Sequence, residues 1–243
     1  MTEHPIKTIS DLKPGDHLCL VYNSEADHRR VLTTFVRDGL QRGEKVMYFA
    51  DEHTPAIVID YLSREPILGR ALQSNQLEIL TADQVYLRSG YFDVDRTIGL
   101  LHTELDRALK QGYPALRVTG EVSWSLGNAP GAERFAEYES RVNEFFHGRP
   151  ALALCQYKCD ARPDALFRAI LNHPLTAQGV SLVDNRAYVP PAEFLEPARF
   201  TEAVNRLSRE LAWQPSSLEP ARLTSADIDA LLAALGLPPS QRD

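Results

Sequence analysis

Three times along this chain a helical apolar stripe ends at a glycine and passes directly into a short apolar run. No other feature constrains the fold as much. Val31, Leu32, Phe35, Val36 and Leu40 precede Gly43 and KVMYFA. Val94, Ile98, Leu101, Leu105 and Leu109 precede Gly112 and ALRVTG. Phe135, Tyr138, Val142, Phe145 and Phe146 precede Gly148 and ALALCQY. The stripes repeat every 3.6 residues, each glycine supplies a left-handed cap, and the short run behind it reads as a buried strand. Helix, glycine and buried strand in succession predict a parallel sheet with crossover helices. Runs near 17–22, 76–81 and 180–184 bring the expected total to about six strands, an ordinary sheet. Helices are expected over Pro55–Leu62 and Ile67–Gln73. The fold class is α/β.

The pattern changes after Val189-Pro190-Pro191. Phe200, Val204, Leu207 and Leu211 form an amphipathic helix, and Thr224-x-x-Asp227 caps a short helix bearing Ile228, Leu231, Leu232 and Leu235. We therefore expect a domain over 8–190 and a linker with an amphipathic helical tail over 191–243. The tail either packs on the same domain or offers a surface for a second copy or an effector. Twenty-six basic residues against 33 acidic ones leave a net charge of −7, with no dense Lys/Arg run. That argues against direct DNA binding. No apolar run approaches the ~18 residues of a membrane span, and MTEHPIKTIS is too polar for a signal peptide. Three cysteines without a secretory signal suggest reduced thiols and a cytoplasmic protein.

A nucleotide-hydrolysing α/β domain carries GxxxxGK[ST] in the turn after its first strand, where backbone amides and a lysine hold the phosphates. Here that turn is Asn23-Ser24-Glu25-Ala26-Asp27-His28. It has no glycine and no lysine, and its two carboxylates would repel a triphosphate.

The words GDHLCLVY (15–22), GEKVMYFADE (43–52), YFDVDRTIGLL (91–101), GYPALRVTGEVSW (112–124), EYESRVNEFF (137–146), ALCQYKCD (153–160) and LNHP (171–174) stand in one order at domain-scale spacing. Together they resemble the MEDS domain, the sensory domain of methanogen and methylotroph regulators, over about residues 8–190. The resemblance implies a three-layer, RecA/KaiC-like fold with helices on both faces of the sheet and no phosphate-binding loop. It also implies signal input to DNA-binding or histidine-kinase modules. Neither module is visible in this sequence, so the expectation is a stand-alone sensor with a signalling protein as partner.

Ligands of open α/β sheets sit beyond the carboxyl ends of the strands. That edge gathers Tyr22, Asn23, Asp51, Glu52, Thr119, Glu121, Trp124, Gln156 and Tyr157 as candidate ligand-binding residues. Thr119 and Glu121 share one side of their strand, Gly120 would let backbone approach a ligand, and Trp124 adds an apolar wall. The competing readings are structural: Glu121 caps a helix or pairs with Arg117, Trp124 packs, and Asp51 or Glu52 caps the helix containing Pro55. His17, Cys19, Cys155, Cys159 and His173 are candidates for a metal or redox role. No CxxC or HxxxH spacing supports them, and buried strand cysteines are common. Cys159, between Lys158 and Asp160, is the expected exposed thiol. His28, Arg29 and Arg30 read as an ion-paired solvated face against Glu25 and Asp27. Tyr86, Tyr91 and Phe92 form either a lid or a packed loop.

The reading these observations favour is a non-enzymatic sensory domain without a cofactor. It binds a small molecule or partner protein and passes the change onward through its tail, with a homodimer as one possible assembly. The alternative is a residual nucleotide binder or ATPase-like enzyme using Asp51, Glu52 and Glu121. The turn at 23–28 opposes that alternative.

Overall fold

The computed structural model describes residues 7–126, 129–158, 163–217 and 222–237. Seven strands form one sheet: β1 (His17–Tyr22), β2 (Lys45–Ala50), β3 (Leu77–Thr81), β4 (Leu116–Glu121), β5 (Ala151–Lys158), β6 (Leu175–Gln178) and β7 (Ser181–Asp184). Their order is β3-β2-β4-β5-β1-β6-β7. Every pairing is parallel except that of β6 with β7. All six expected runs are strands. The addition is β6, four residues between Pro174 and Gly179, too short to show a period.

Helices cover both faces. Val46, Tyr48 and Ala50 of β2 pack with Val31, Leu32, Phe35 and Val36 of α1 (Glu25–Gln41), alongside α2 (Pro55–Leu62) and α3 (Leu68–Gln73). Met47 and Phe49 point the other way, onto Ile98, Leu101 and Leu105 of α5 (Val94–Lys110), beside α4 (Ala82–Val85) and α6 (Phe135–Phe146). Alternation along each strand thus feeds two cores and makes three layers. Gly43, Gly112 and Gly148 follow α1, α5 and α6 at φ of 74°, 87° and 69°, the left-handed caps that their positions imply.

A third core lies under α7 (Pro163–Asn172), where α8 (Pro191–Phe194), α9 (Pro197–Glu210) and α10 (Ser225–Ala234) gather. Phe200, Val204 and Leu207 of α9 and Ile228, Leu231 and Leu232 of α10 pack with Leu166, Phe167 and Ile170 of α7 and with Cys19 and Val21 of β1. Thr224 and Asp227 form the expected capping box. Between the two helices Trp213 is buried, and its Nε1 donates to the Asp227 carbonyl at 2.8 Å. At ~1.5–3 kcal/mol for each fully buried large apolar side chain, these faces are committed inward. The tail's apolar stripes are therefore core, which corrects the alternative that they form an open docking surface. No helix among the described residues is long and apolar enough to cross a membrane.

Candidate functional site

Strand β4 is central, and its α1-facing side is polar: Arg117, Thr119 and Glu121, all buried. Arg117 donates through Nε to Glu44 Oε2 at 2.5 Å and lies over the Phe35 ring at 4.6 Å. Gly39 of α1 makes room for it, since a Cβ there would stand 2.5 Å from Arg117 Cδ. Arg117 is thus paired with Glu44, not with Glu121. Thr119 Oγ1 donates to the Leu154 carbonyl and accepts from Gln156 Nε2, both at 2.8 Å. The hydroxyl has one proton, so the Gln156 amide must face it with its NH2 group. Gln156 Oε1 then accepts from His28 Nε2 at 2.6 Å and lies 3.2 Å from Tyr48 Oη.

His28 is fully buried, which corrects the solvated-face reading. Of its neighbours, Arg30 pairs with Asp27 at 2.7 Å as expected, whereas Arg29 pairs with Asp60 of α2 at 3.4 Å. With Nε2 carrying the proton, Nδ1 of His28 is a buried lone pair without a hydrogen-bond partner. Burial pushes His28 down to about 4, against the Gln156 hydrogen bond, which raises it. The ring is therefore neutral at pH 7.

Glu121 collects four donors. Oε1 accepts from Tyr48 Oη at 2.8 Å and lies 3.1 Å from His53 Nδ1; Oε2 accepts from the amides of Asp51 at 3.0 Å and His53 at 2.8 Å. It fixes the loop that follows β2. Asp51 returns the contact to the loop after β4, accepting from Ser123 Oγ and the Trp124 amide at 2.6 Å each. The cap of α2 is Thr54, so neither Asp51 nor Glu52 fills that role. Glu52 pairs with Lys158 at 2.6 Å on the rim, and Asn23 is half-buried beside the Ser24 cap of α1. Ser24 accepts from the Asp27 amide, so an acid-rich turn occupies the place of a phosphate cradle.

Around this network the rings of Tyr22, His28 and His53 stack, with centroids 4.1 and 4.7 Å apart. His53 Nε2 lies 3.2 Å from Glu25 Oε2. Glu25, His28 and His53 offer three ligand-type atoms within 4.8 Å of one another, with Glu25 exposed to solvent. His53 is missing from the sequence reading. Its signal was its place in a loop at the carboxyl edge, next to Asp51 and Glu52.

The opposite face holds the other candidates. Trp124 stacks on Tyr86 at 4.7 Å and meets Phe92 at 4.8 Å and Phe135 at 5.4 Å. Tyr86 and Phe92 belong to a packed loop, while Tyr91 is exposed under Arg96. A Cβ on Gly120 would stand 2.8 Å from Tyr86 Oη, so the protein's own tyrosine takes the room expected for a ligand. Tyr157 is buried, its hydroxyl pushed up by burial and by the charge of Glu139. Beside it a cavity of about 310 Å3 opens, lined by Phe135, Ala136 and Glu139 of α6, Tyr157 of β5, and Arg168 and Asn172 of α7. The nine candidates thus divide: Tyr22, Thr119, Glu121 and Gln156 share the α1 face, Asn23, Asp51 and Glu52 stand in the loops at the strand ends, and Trp124 and Tyr157 lie beneath the sheet.

Three of the five metal or redox candidates come together. His17 Nε2 lies 3.4 Å from Cys155 Sγ, and Glu139 brings His173 into the same group. Cys19 is in register with Cys155 but sits in the apolar core, its thiol raised by burial. Cys159 lies outside the described residues. Burial and the charge of His173 push His17 down to about 3, and burial with the charge of Glu139 raises the Cys155 thiol. Burial would raise Glu139, but His173 and His17 outweigh it and hold the carboxyl below its ordinary value.

Buried polar side chains thus stand above β4 and β5 and below β5 and β1 of a mainly parallel α/β sheet. The chain is a domain of that class. Residues 16–174 match MEDS, the methanogen/methylotroph, DcmR sensory domain, and the chain belongs to that family. It is 26% identical over 149 residues to the transcriptional repressor DcmR of Methylorubrum extorquens, a match covering 60% of this chain and 53% of that protein. The chain thus spans about half the length of this curated relative. A KaiC-like protein from Pyrococcus horikoshii OT3 is similar in structure, with a TM-score of 0.49 and 11% identity over 71% of this chain and 80% of that one.

Proposed function

We propose that this chain is the signal-input domain of a regulator, without enzymatic activity, and that a small organic molecule enters the cavity between α6 and α7. The cavity carries this reading. Its ~310 Å3 stand at the lower end of the ~300–1,000 Å3 of ligand pockets, room for a compact ligand. Apolar Phe135, Ala136 and Ala169 stand against Glu139 and Arg168, so the walls can orient a ligand with one polar end. Membership of a sensory family and similarity to a transcriptional repressor support a regulatory role. The occupant would favour one arrangement of α6 and α7 by its differential affinity for it. The change would then reach a cytoplasmic signalling or transcription partner through α9 and α10, which share a core with α7.

The test is thermal unfolding of the full chain with short-chain alcohols, amines and carboxylates, and with Mg-ATP, in wild type and in the cavity-filling variant Ala136→Phe. An organic compound should raise the wild-type midpoint and leave the variant unmoved. A midpoint raised by Mg-ATP in both proteins, with release of ADP, would sink the proposal in favour of a nucleotide enzyme.

A further inference from the structure

Four elements bring one side chain each to a single point beneath the sheet: His17 from β1, Cys155 from β5, Glu139 from α6, and His173 just after α7. Their ligand-type atoms all lie within 4.8 Å of one another. His17, Glu139 and His173 are at most 1% exposed, and Cys155 keeps some surface.

The surroundings fix which atoms face inward. Asn143 Nδ2 donates to the Asn172 carbonyl at 2.6 Å and the Glu139 carbonyl at 3.2 Å, so its Oδ1 must be the atom 2.8 Å from His17 Nδ1. His17 Nδ1 therefore carries the proton and Nε2 carries a lone pair. His173 Nδ1 lies 2.7 Å from the Ala169 carbonyl, which can only accept, so Nδ1 carries a proton and Nε2 is the nitrogen that faces Glu139. These two Nε2 atoms stand 3.7 and 3.2 Å from the same Glu139 oxygen. Neither His173 Nε2 nor Glu139 Oε1 has a hydrogen-bond partner. A cation placed among these converging nitrogen and oxygen atoms would be coordinated by them and would offset the cost of burying the carboxylate.

We propose that this chain binds a divalent transition-metal ion, zinc before others, through His17 Nε2, His173 Nε2, Cys155 Sγ and a carboxylate oxygen of Glu139. Zinc bonds of ~2.0–2.3 Å set the edges of a tetrahedron at ~3.3–3.6 Å. Four of the six edges here are 3.4 Å (His17 Nε2 to Cys155 Sγ), 3.2 and 3.7 Å (the two imidazoles to Glu139) and 3.9 Å (Cys155 Sγ to Glu139), and the two from His173 to His17 and to Cys155 are within 4.8 Å. Two imidazoles, a thiol and a carboxylate suit zinc, whereas calcium and magnesium take oxygen ligands. Cys155 binds as the thiolate and gives its proton to solvent. Asn143 and the Ala169 carbonyl are the outer partners that orient the two imidazoles, the arrangement common to metal-bound histidines. The inference stands apart from the ligand reading, because it needs neither an occupant in the cavity nor an output partner.

The untagged full chain is incubated with Zn2+, dialysed and assayed for metal. One equivalent per chain is expected in wild type and in Cys19→Ala, and none in Cys155→Ser or His173→Gln. Asn143→Leu, which removes an orienting partner and no ligand, should weaken affinity by about 10–100-fold. With Co2+ in place of zinc, wild type should show tetrahedral d–d bands and a thiolate charge-transfer band, the latter missing from Cys155→Ser. Should the variants fail to fold, X-ray absorption at the zinc edge of wild type decides, with one sulfur and two imidazoles expected. A wild-type chain that retains no zinc, or a shell without sulfur, overturns the proposal.

Discussion

Replacing Glu121 with leucine keeps roughly its volume and removes every acceptor it offers. Two backbone amides, of Asp51 and His53, then lose the oxygen that lies 3.0 and 2.8 Å away. Each stranded buried donor costs ~1–3 kcal/mol, so Glu121→Leu should lose roughly 2–6 kcal/mol. For a chain of this size ~2–4 °C of midpoint follows each kcal/mol, so a central loss of ~4 kcal/mol lowers the midpoint by about 8–16 °C. Glu121→Gln should behave differently. Its carbonyl can keep both amides while its NH2 group turns to Tyr48 Oη and His53 Nδ1. Tyr48 can redirect its proton to Gln156 Oε1 at 3.2 Å, and His53 can move its own to Nε2, 3.2 Å from Glu25. The glutamine variant should therefore lose ~1 kcal/mol or less. Thermal unfolding followed by circular dichroism and tryptophan fluorescence measures both. A leucine variant as stable as wild type, or a glutamine variant as damaged as the leucine one, refutes the argument that acceptor count holds this loop.

Leu231→Ala, at a fully buried position in α10, should cost about 2–5 kcal/mol and shift the whole unfolding curve. Loss of α10 alone, in a separate early step, would show that the tail stands apart from the fold. Thr224→Ala removes the capping box of α10 and should cost about 1 kcal/mol by urea titration. The depressed pKa of His28 sets a pH dependence. From the ordinary histidine value of ~6.5 down to about 4, the unfolded ring takes a proton that the folded ring refuses, so stability falls with pH across that window. The urea midpoint should drop between about pH 7 and about pH 5, and His28→Asn should reduce the drop. An unchanged slope would place His28 in contact with water.

Strands β1 to β5 were legible because each is an apolar run of five to eight residues, three of them fenced by a capping glycine. Strand β6 was not, since LTAQ has neither length nor apolar character. At the site, strand position alone placed Thr119, Glu121 and Gln156 correctly at one edge, because alternation along a strand is a geometric certainty. It could not say that Glu121 spends its oxygens on neighbouring amides. His28 and Glu139 share one lesson. His28 lies three and four residues before Val31 and Leu32, and Glu139 three before Val142 and seven before Phe146, so both fall on the apolar stripe of their helix. A polar residue on such a stripe is buried with a partner; reading charge before periodicity hid His28, and Glu139 went unread inside its apolar stripe.

The two polar groupings meet on consecutive residues. Cys155 turns down toward His17 and Gln156 turns up toward His28, while their backbones are joined by one peptide bond. The same peptide is gripped by Gly120 and Glu121 on one side and by Cys19 and Leu20 on the other. A shift of this strand along its axis would therefore carry both groupings the same way, one on each face of the sheet. A metal or ligand that displaced Cys155 along the strand would displace Gln156 with it, through a single peptide unit.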